Sequence, residues 1–132
     1  MHRIVLANGV FDLLHAAHVR HLEEARSMGT LLVVGVTEDD CTGKAYGPII
    51  PLDERVEMLK ALRCVYDARP CRSGVEALEY WKPAIFAKGY DRKISGLNDA
   101  ERLHCEKNSI EVRYTRENRL HTGDIIRRIK CA

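Results

Sequence analysis

The sequence has no CxxC pair: its five cysteines, Cys41, Cys64, Cys71, Cys105 and Cys131, are odd in number and widely spaced. That pattern supports neither a zinc ribbon nor a thioredoxin-type site, and it points to reduced thiols in a cytoplasmic protein. A long hydrophobic run is also missing. The apolar stretch after Arg3 meets Asn8 and Gly9 within a few residues, far short of a signal peptide or a membrane span. Nor is there an excess of one charge: 21 basic against 19 acidic residues leave +2, which gives no basis for a nucleic-acid or membrane-surface partner. Repeats, low-complexity tracts and linkers are absent too. What is present is an ordinary globular composition, 45% hydrophobic and 30% charged, in 132 residues. That size predicts a single domain, 1–132, able to bury a core without staples. Function must therefore be read from local constellations.

Short apolar, β-branched runs alternate with segments of helical period. Ile4–Ala7, Leu31–Val36, Cys64–Asp67, Ala84–Ala87 and Ile110–Tyr114 read as five strands, the first two apolar throughout as strands covered on both faces should be. Between them, Val19, Leu22 and Ala25 mark a helix, with Gly29 where it would stop. Val56, Leu59 and Leu62 mark a second helix after Pro51, its start favoured by Asp53 and Glu54. Ser73 and Glu76 have capping-box spacing ahead of Leu78 and Trp81, and Pro83 closes that helix. Asn98 and Glu101 repeat the spacing for a segment reaching about Lys107, and Ile125, Ile126 and Ile129 mark a last helix. Such alternation predicts a Rossmann-like three-layer α/β/α fold with a five-stranded parallel sheet and right-handed crossovers. Ligands of such sheets bind beyond the carboxyl ends of the strands, near the switch point. The stretch 39–51, with Gly43, Gly47 and Pro48, reads as a loop bordering that crevice.

Against that layout the stretch from Asn8 to Ala25 gains a location. Gly9 follows the first strand, where a missing side chain lets backbone approach a ligand. His15 and His18 lie on neighbouring positions of the first helical turns, about 60° apart. Free N–H groups and the positive helix end lie beside them, so two imidazoles there suit phosphate oxygens. Other readings remain open at this point: a structural histidine, or a zinc site, which needs a third ligand where His21 lies about 120° round the helix from His15 and no carboxylate completes a known helix motif. Asp12 could orient a histidine or cap the helix. Arg55 and Arg63 could bind phosphate, lie on an exposed helix face or make a subunit contact.

The pattern Gly9, Phe11, Asp12, His15 and His18, followed by Leu22, Ala25 and Gly29, resembles the cytidylyltransferase-like nucleotidyltransferase superfamily, which carries G-x-F-D-x-x-H-x-G-H after its first strand. Further pieces are similar along nearly the whole chain. Val34–Thr37 looks like the second strand of the small cytidylyltransferases, and "PLDER", Pro51 to Arg55, like the segment after their phosphate-binding loop. "KGYD", Lys88 to Asp91, resembles the turn after strand four in heptose-phosphate and related sugar-phosphate nucleotidyltransferases. "RENRLHTGDIIRRI", from Arg116 to Ile129, resembles the closing motif, in which an arginine precedes a run of hydroxyl residues and a helix. There are departures. Ala17 replaces the glycine between the histidines, His121 and Gly123 replace two hydroxyl residues around Thr122, and Glu38 stands where relatives often have Asp.

The resemblance implies transfer of CMP or AMP from CTP or ATP, with Mg²⁺, to a small phosphorylated sugar or polyol, releasing pyrophosphate. It implies His15, His18, Lys44 and Arg116 as catalytic residues. Asn8, Gly9, Val10, Phe11, Asp12, Ala17, Lys88, Gly89, Asp91 and Thr122 would line the nucleotide site, with no dedicated protein metal site. Relatives are commonly homodimers, so a homodimer is expected. The methyl group of Ala17 is expected to crowd the nucleotide. Ala17 and His121 together keep a second reading open, a nucleotide-binding module with weakened catalysis.

Overall fold

A computed structural model describes residues 1–43, 47–116 and 122–131. Five parallel strands, β1 (Ile4–Gly9), β2 (Leu31–Thr37), β3 (Asp67–Cys71), β4 (Ile85–Lys88) and β5 (Glu111–Tyr114), lie in the order β3-β2-β1-β4-β5. Helices α1 (Ala16–Ser27), α2 (Leu52–Lys60), α3 (Gly74–Trp81), α4 (Tyr90–Ser95), α5 (Asp99–Lys107) and α6 (Thr122–Cys131) fill the connections. The chain leaves β1 toward β2 and returns after β3 to β4, so the switch point falls between β1 and β4.

Strand residues alternate between two cores because successive side chains point to opposite faces of a sheet. Val5, Ala7, Val34, Val36, Ile85 and Ala87 pack with Leu22 and Ala25 of α1 and Leu59 of α2. Leu6, Val33 and Phe86 pack with Ala77 and Leu78 of α3 and Cys105 of α5. The two clusters make the three layers that the alternating pattern predicts. Their burial is the main stabilising term; truncating a fully buried leucine such as Leu22 to alanine costs about 2–5 kcal/mol.

Three details differ from the sequence expectations. The third strand lies at Asp67–Cys71, not at Cys64–Asp67. Val65 does reach the core, but from a turn in which its N–H donates to Leu62, and Tyr66 is 69% exposed. The true strand is an edge strand carrying exposed Arg69 and Pro70, a composition that hides its pattern and that only an edge tolerates. Gly29 does follow the end of α1, but not as a left-handed cap. Met28 caps the helix in right-handed geometry, and a Cβ on Gly29 would sit 2.4 Å from the Arg3 carbonyl oxygen. The glycine is there for close packing. Finally, the segment after Lys88, read as a turn, continues into the short helix α4.

Candidate active site

The link between β1 and α1 is built under strain. Phe11 and Leu13 both adopt left-handed backbone angles, φ 53° and 49°. Such positions cost of order 1–3 kcal/mol each and persist where the surroundings impose them. Phe11 folds back over Gly9, where any Cβ would lie 3.2 Å from its ring. Asp12, 3% exposed, accepts from the N–H groups of Ile49 (2.8 Å) and Ile50 (2.9 Å). Its carboxylate therefore ties the loop before α2 to the histidine segment. It does not cap α1; that role falls to His15.

His15 Nδ1 accepts from the Ala17 N–H (3.2 Å), and His18 Nδ1 accepts from the His15 N–H (3.3 Å). This is a capping box made of imidazoles. Its chemical consequence is a tautomer: with each Nδ1 used as an acceptor, the ring proton sits on Nε2. The rings stack, centroids 3.9 Å apart, and Phe11 meets His18 edge-on. His15 Nε2 lies 3.4 Å from the Thr122 hydroxyl, which donates to the Asp12 carbonyl at 3.1 Å. Thr122, the first residue of α6, thus bonds across to the α1 loop.

On the opposite side of the switch point, Lys88 at the end of β4 is buried and donates to Asn8 Oδ1 at the end of β1 (3.0 Å). Glu101 of α5 is its ion-pair partner at 3.8 Å. Burial pulls the Lys88 ammonium below its ordinary range, and the Glu101 charge opposes that pull. His21, one turn beyond His18, holds Thr115 Oγ1 at 2.6 Å through Nδ1. Burial first and the Lys88 charge second lower its pKa from 6.5, against Glu24 and Asp91.

A cleft of about 550 Å³ opens above the carboxyl ends of β1 and β4, between these two sides. Asn8, Gly9, Val10, Phe11, Asp12, His15, Ala17, His18, Lys88, Gly89, Asp91, Arg116 and Thr122 all line it. Lys44 and His121 lie outside the described residues. Arg116 stands at the rim, its side chain 94% exposed, 3.9 Å from Glu24. The sequence reading did not place Arg72, Ser73, Gly74, Asn98 or Glu101 in a site, and raised His21 only as a zinc ligand; all line the same cleft. Only the capping pairs Ser73–Glu76 and Asn98–Glu101 signalled that helix starts converge there, and both caps form. Arg55 is a correction. It is 1% exposed, and its guanidinium donates to the carbonyls of Ile50 (2.9 Å), Val10 (2.7 Å) and Thr37 (2.9 Å) and to Asp39. It is a structural clamp, fully used by the protein. Arg63 is exposed.

The fold and the cleft define a Rossmann-like α/β protein whose helix start presents ring N–H donors at the switch point. Residues 6–128 match the profile of the family described as Cytidylyltransferase-like. FAD synthase of Pyrococcus abyssi is 34% identical over 134 aligned positions, covering 95% of this chain and 90% of that protein. The bifunctional protein HldE of Geobacter sulfurreducens is 36% identical over 118 residues, 83% of this chain but 24% of HldE, so the chain spans about a quarter of that relative. A crystal structure of the lipopolysaccharide core biosynthesis protein from Thermoplasma volcanium superposes with a TM-score of 0.73 at 30% identity, over 92% of this chain and all of that one. Pantothenate synthetase from Thermus thermophilus, at 14% identity and TM-score 0.61 over 92% of this chain and 58% of its own, shares the fold. The chain belongs to the cytidylyltransferase-like family and is a nucleotidyltransferase. Among the described residues, no helix is long and apolar enough to cross a membrane.

Proposed function

We propose that residues 1–132 act as one nucleotidyltransferase domain that moves CMP or AMP from CTP or ATP to a small phosphorylated sugar or polyol. An oxygen of the acceptor phosphate attacks the α-phosphorus of the triphosphate. The bond from that phosphorus to the bridging oxygen breaks, and pyrophosphate leaves with the electron pair. No protein nucleophile is needed, so catalysis is positioning and charge stabilisation. The observation that carries this reading is the imidazole capping box. Because both Nδ1 atoms are engaged with backbone N–H groups, His15 and His18 present Nε2–H donors at the positive end of α1. Lys44 and Arg116 are assigned the remaining phosphate charges, Arg116 from the rim.

Magnesium enters this scheme with the nucleotide, as part of the substrate. Among the described residues, the cluster of metal-ligand types is Glu38, Asp40 and Cys41, and Arg72 is ion-paired with both carboxylates. That donor set does not fit a resident Mg²⁺, which takes oxygen ligands and keeps several waters. A homodimer and a cytoplasmic setting complete the proposal. The name of the FAD synthase relative implies a flavin-containing product, so a flavin phosphate belongs among the acceptors assayed.

Pyrophosphate release, screened across CTP and ATP against glycerol 3-phosphate, sugar phosphates and FMN, tests the proposal. His18→Ala is expected to lower turnover by about 10²-fold, the loss typical of one transition-state donor. An unchanged rate removes His18 from the mechanism. The second reading, a binding module with weakened catalysis, draws on the Ala17 methyl in the cleft wall. It would be favoured by nucleotide binding in calorimetry without pyrophosphate from any pair.

A further inference from the structure

Glu101 lies on α5, outside every motif that marks the family, yet its carboxylate forms part of the cleft wall. It is 5% exposed. Its oxygens have Lys88 as ion-pair partner, at 3.8 Å. The chain also makes room for this carboxylate at some cost. A Cβ on Gly74, the first residue of α3, would lie 1.7 Å from Glu101 Oε2. Lys88 carries three N–H groups, and its bond to Asn8 and its pairing with Glu101 leave capacity for a further acceptor.

A buried carboxylate is costly unless it is well paired, and a ligand hydroxyl would add a donor to the Lys88 charge that Glu101 already has. The cleft side occupied by Glu101, Lys88 and Asn8 also faces the histidines across the sheet. α1 packs on one face and α3 and α5 on the other. In-line displacement requires the acceptor to approach from the side opposite the departing pyrophosphate. If the polyphosphate sits at the start of α1, the acceptor comes from the Glu101 side.

We infer that Glu101 is a specificity-determining residue: its carboxylate accepts from a hydroxyl on the carbon next to the phosphate-bearing carbon of the acceptor, while Lys88 binds that phosphate. Ammonium and carboxylate side by side match a phosphate oxygen and a neighbouring hydroxyl at comparable separation. The acceptor class is then a phosphomonoester with an adjacent hydroxyl. This inference rests on the transfer to a phosphorylated acceptor proposed above.

The test is calorimetric titration of the full chain with glycerol 3-phosphate and with propyl phosphate, which has the same phosphate but no hydroxyl. Both are measured with α,β-methylene-ATP or α,β-methylene-CTP present. Glycerol 3-phosphate is expected to bind about tenfold or more tighter, as a hydrogen bond to a charged group implies. In Glu101→Gln most of that preference disappears while propyl phosphate affinity changes by less than about threefold. Glu101→Asp, which retains the charge on Lys88 but withdraws the carboxylate, gives the same loss of preference if the glutamine variant fails to fold. Equal weakening of both probes would make Glu101 a support for Lys88 alone and overturn the inference. So would a wild type that binds both equally, or neither. Failure of the activity reading is separate: a hydroxyl preference that depends on Glu101, with no pyrophosphate released in any pairing, overturns nucleotidyl transfer and leaves the subsite standing.

Discussion

Removing the Arg55 guanidinium should show how far the cleft depends on a residue that never touches substrate. Its bonds join three separate segments: Val10 between β1 and α1, Thr37 at the end of β2, and Ile50 ahead of α2. Val10 and Thr37 both line the cleft. Arg55→Met fills a similar volume but leaves three carbonyl oxygens without their donor. Asp39 is half exposed, so water takes over most of the lost ion pair and it adds little. Each carbonyl stripped of a buried donor costs about 1–3 kcal/mol, and partial hydration of the loop brings the total to about 3–5 kcal/mol. For a chain of this length the unfolding entropy converts that to a fall in Tm of roughly 10–18 °C. Arg55→Lys, able to serve one or two of these carbonyls as a point donor, should fall between the two. Differential scanning calorimetry and urea titration read the loss directly. A Met variant within about 1 kcal/mol of wild type would show that the clamp is dispensable. A destabilised variant with unchanged nucleotide KM would refute the claim that the clamp shapes the cleft.

Four other outcomes follow from single residues. Ala17→Gly should lower the nucleotide KM if the methyl crowds the ligand, at a cost of up to about 1 kcal/mol in helix stability; an unchanged or raised KM means the site has adapted to alanine. Gly74→Ala places a methyl against Glu101, and should weaken glycerol 3-phosphate binding more than nucleotide binding. Its stability loss should be about 1–3 kcal/mol by urea titration, the usual cost of overpacking. For His21 the folded pKa lies below the unfolded 6.5, so the unfolded chain takes up its proton first as pH falls. Its contribution is therefore present in full above pH 6.5, declines as pH drops from there, and levels off below the lowered folded value. Denaturation of wild type and His21→Gln between pH 5 and 8 should show a steeper acid loss in wild type, and parallel curves would refute this. His15→Ala removes the cap acceptor and should destabilise by about 1 kcal/mol on a urea curve, whatever it does to turnover.

How much of this was visible in the sequence depended on which forces left a periodic trace. β1 and β2 are buried on both faces, so their apolar runs announced them, and Ser73 and Asn98 announced the starts of α3 and α5 through local capping chemistry. β3 was misplaced because an edge strand need bury only Ala68 and Cys71, which leaves too little pattern to find. Arg55 was open to three readings, and each assumed a group reaching solvent, ligand or a second subunit. A guanidinium folded inward onto three carbonyls from distant segments leaves no local signature.

The same distinction runs through the cleft. His15 and His18 were legible because one helical turn carries both the spacing and the job: the rings that cap α1 are the rings that face the cleft, so cap and donor cannot be mutated apart. Glu101 is the opposite case. Its position comes from where α5 crosses the start of α3, and its sequence neighbours say only that a helix begins nearby. In the proposed function, phosphate recognition, needed for any nucleoside triphosphate, falls to contiguous chain at the β1–α1 junction. The proposed acceptor recognition falls to side chains that only the completed sheet brings together. A chain organised this way can change its acceptor through residues such as Glu101 and Gly74 while leaving the histidine segment untouched.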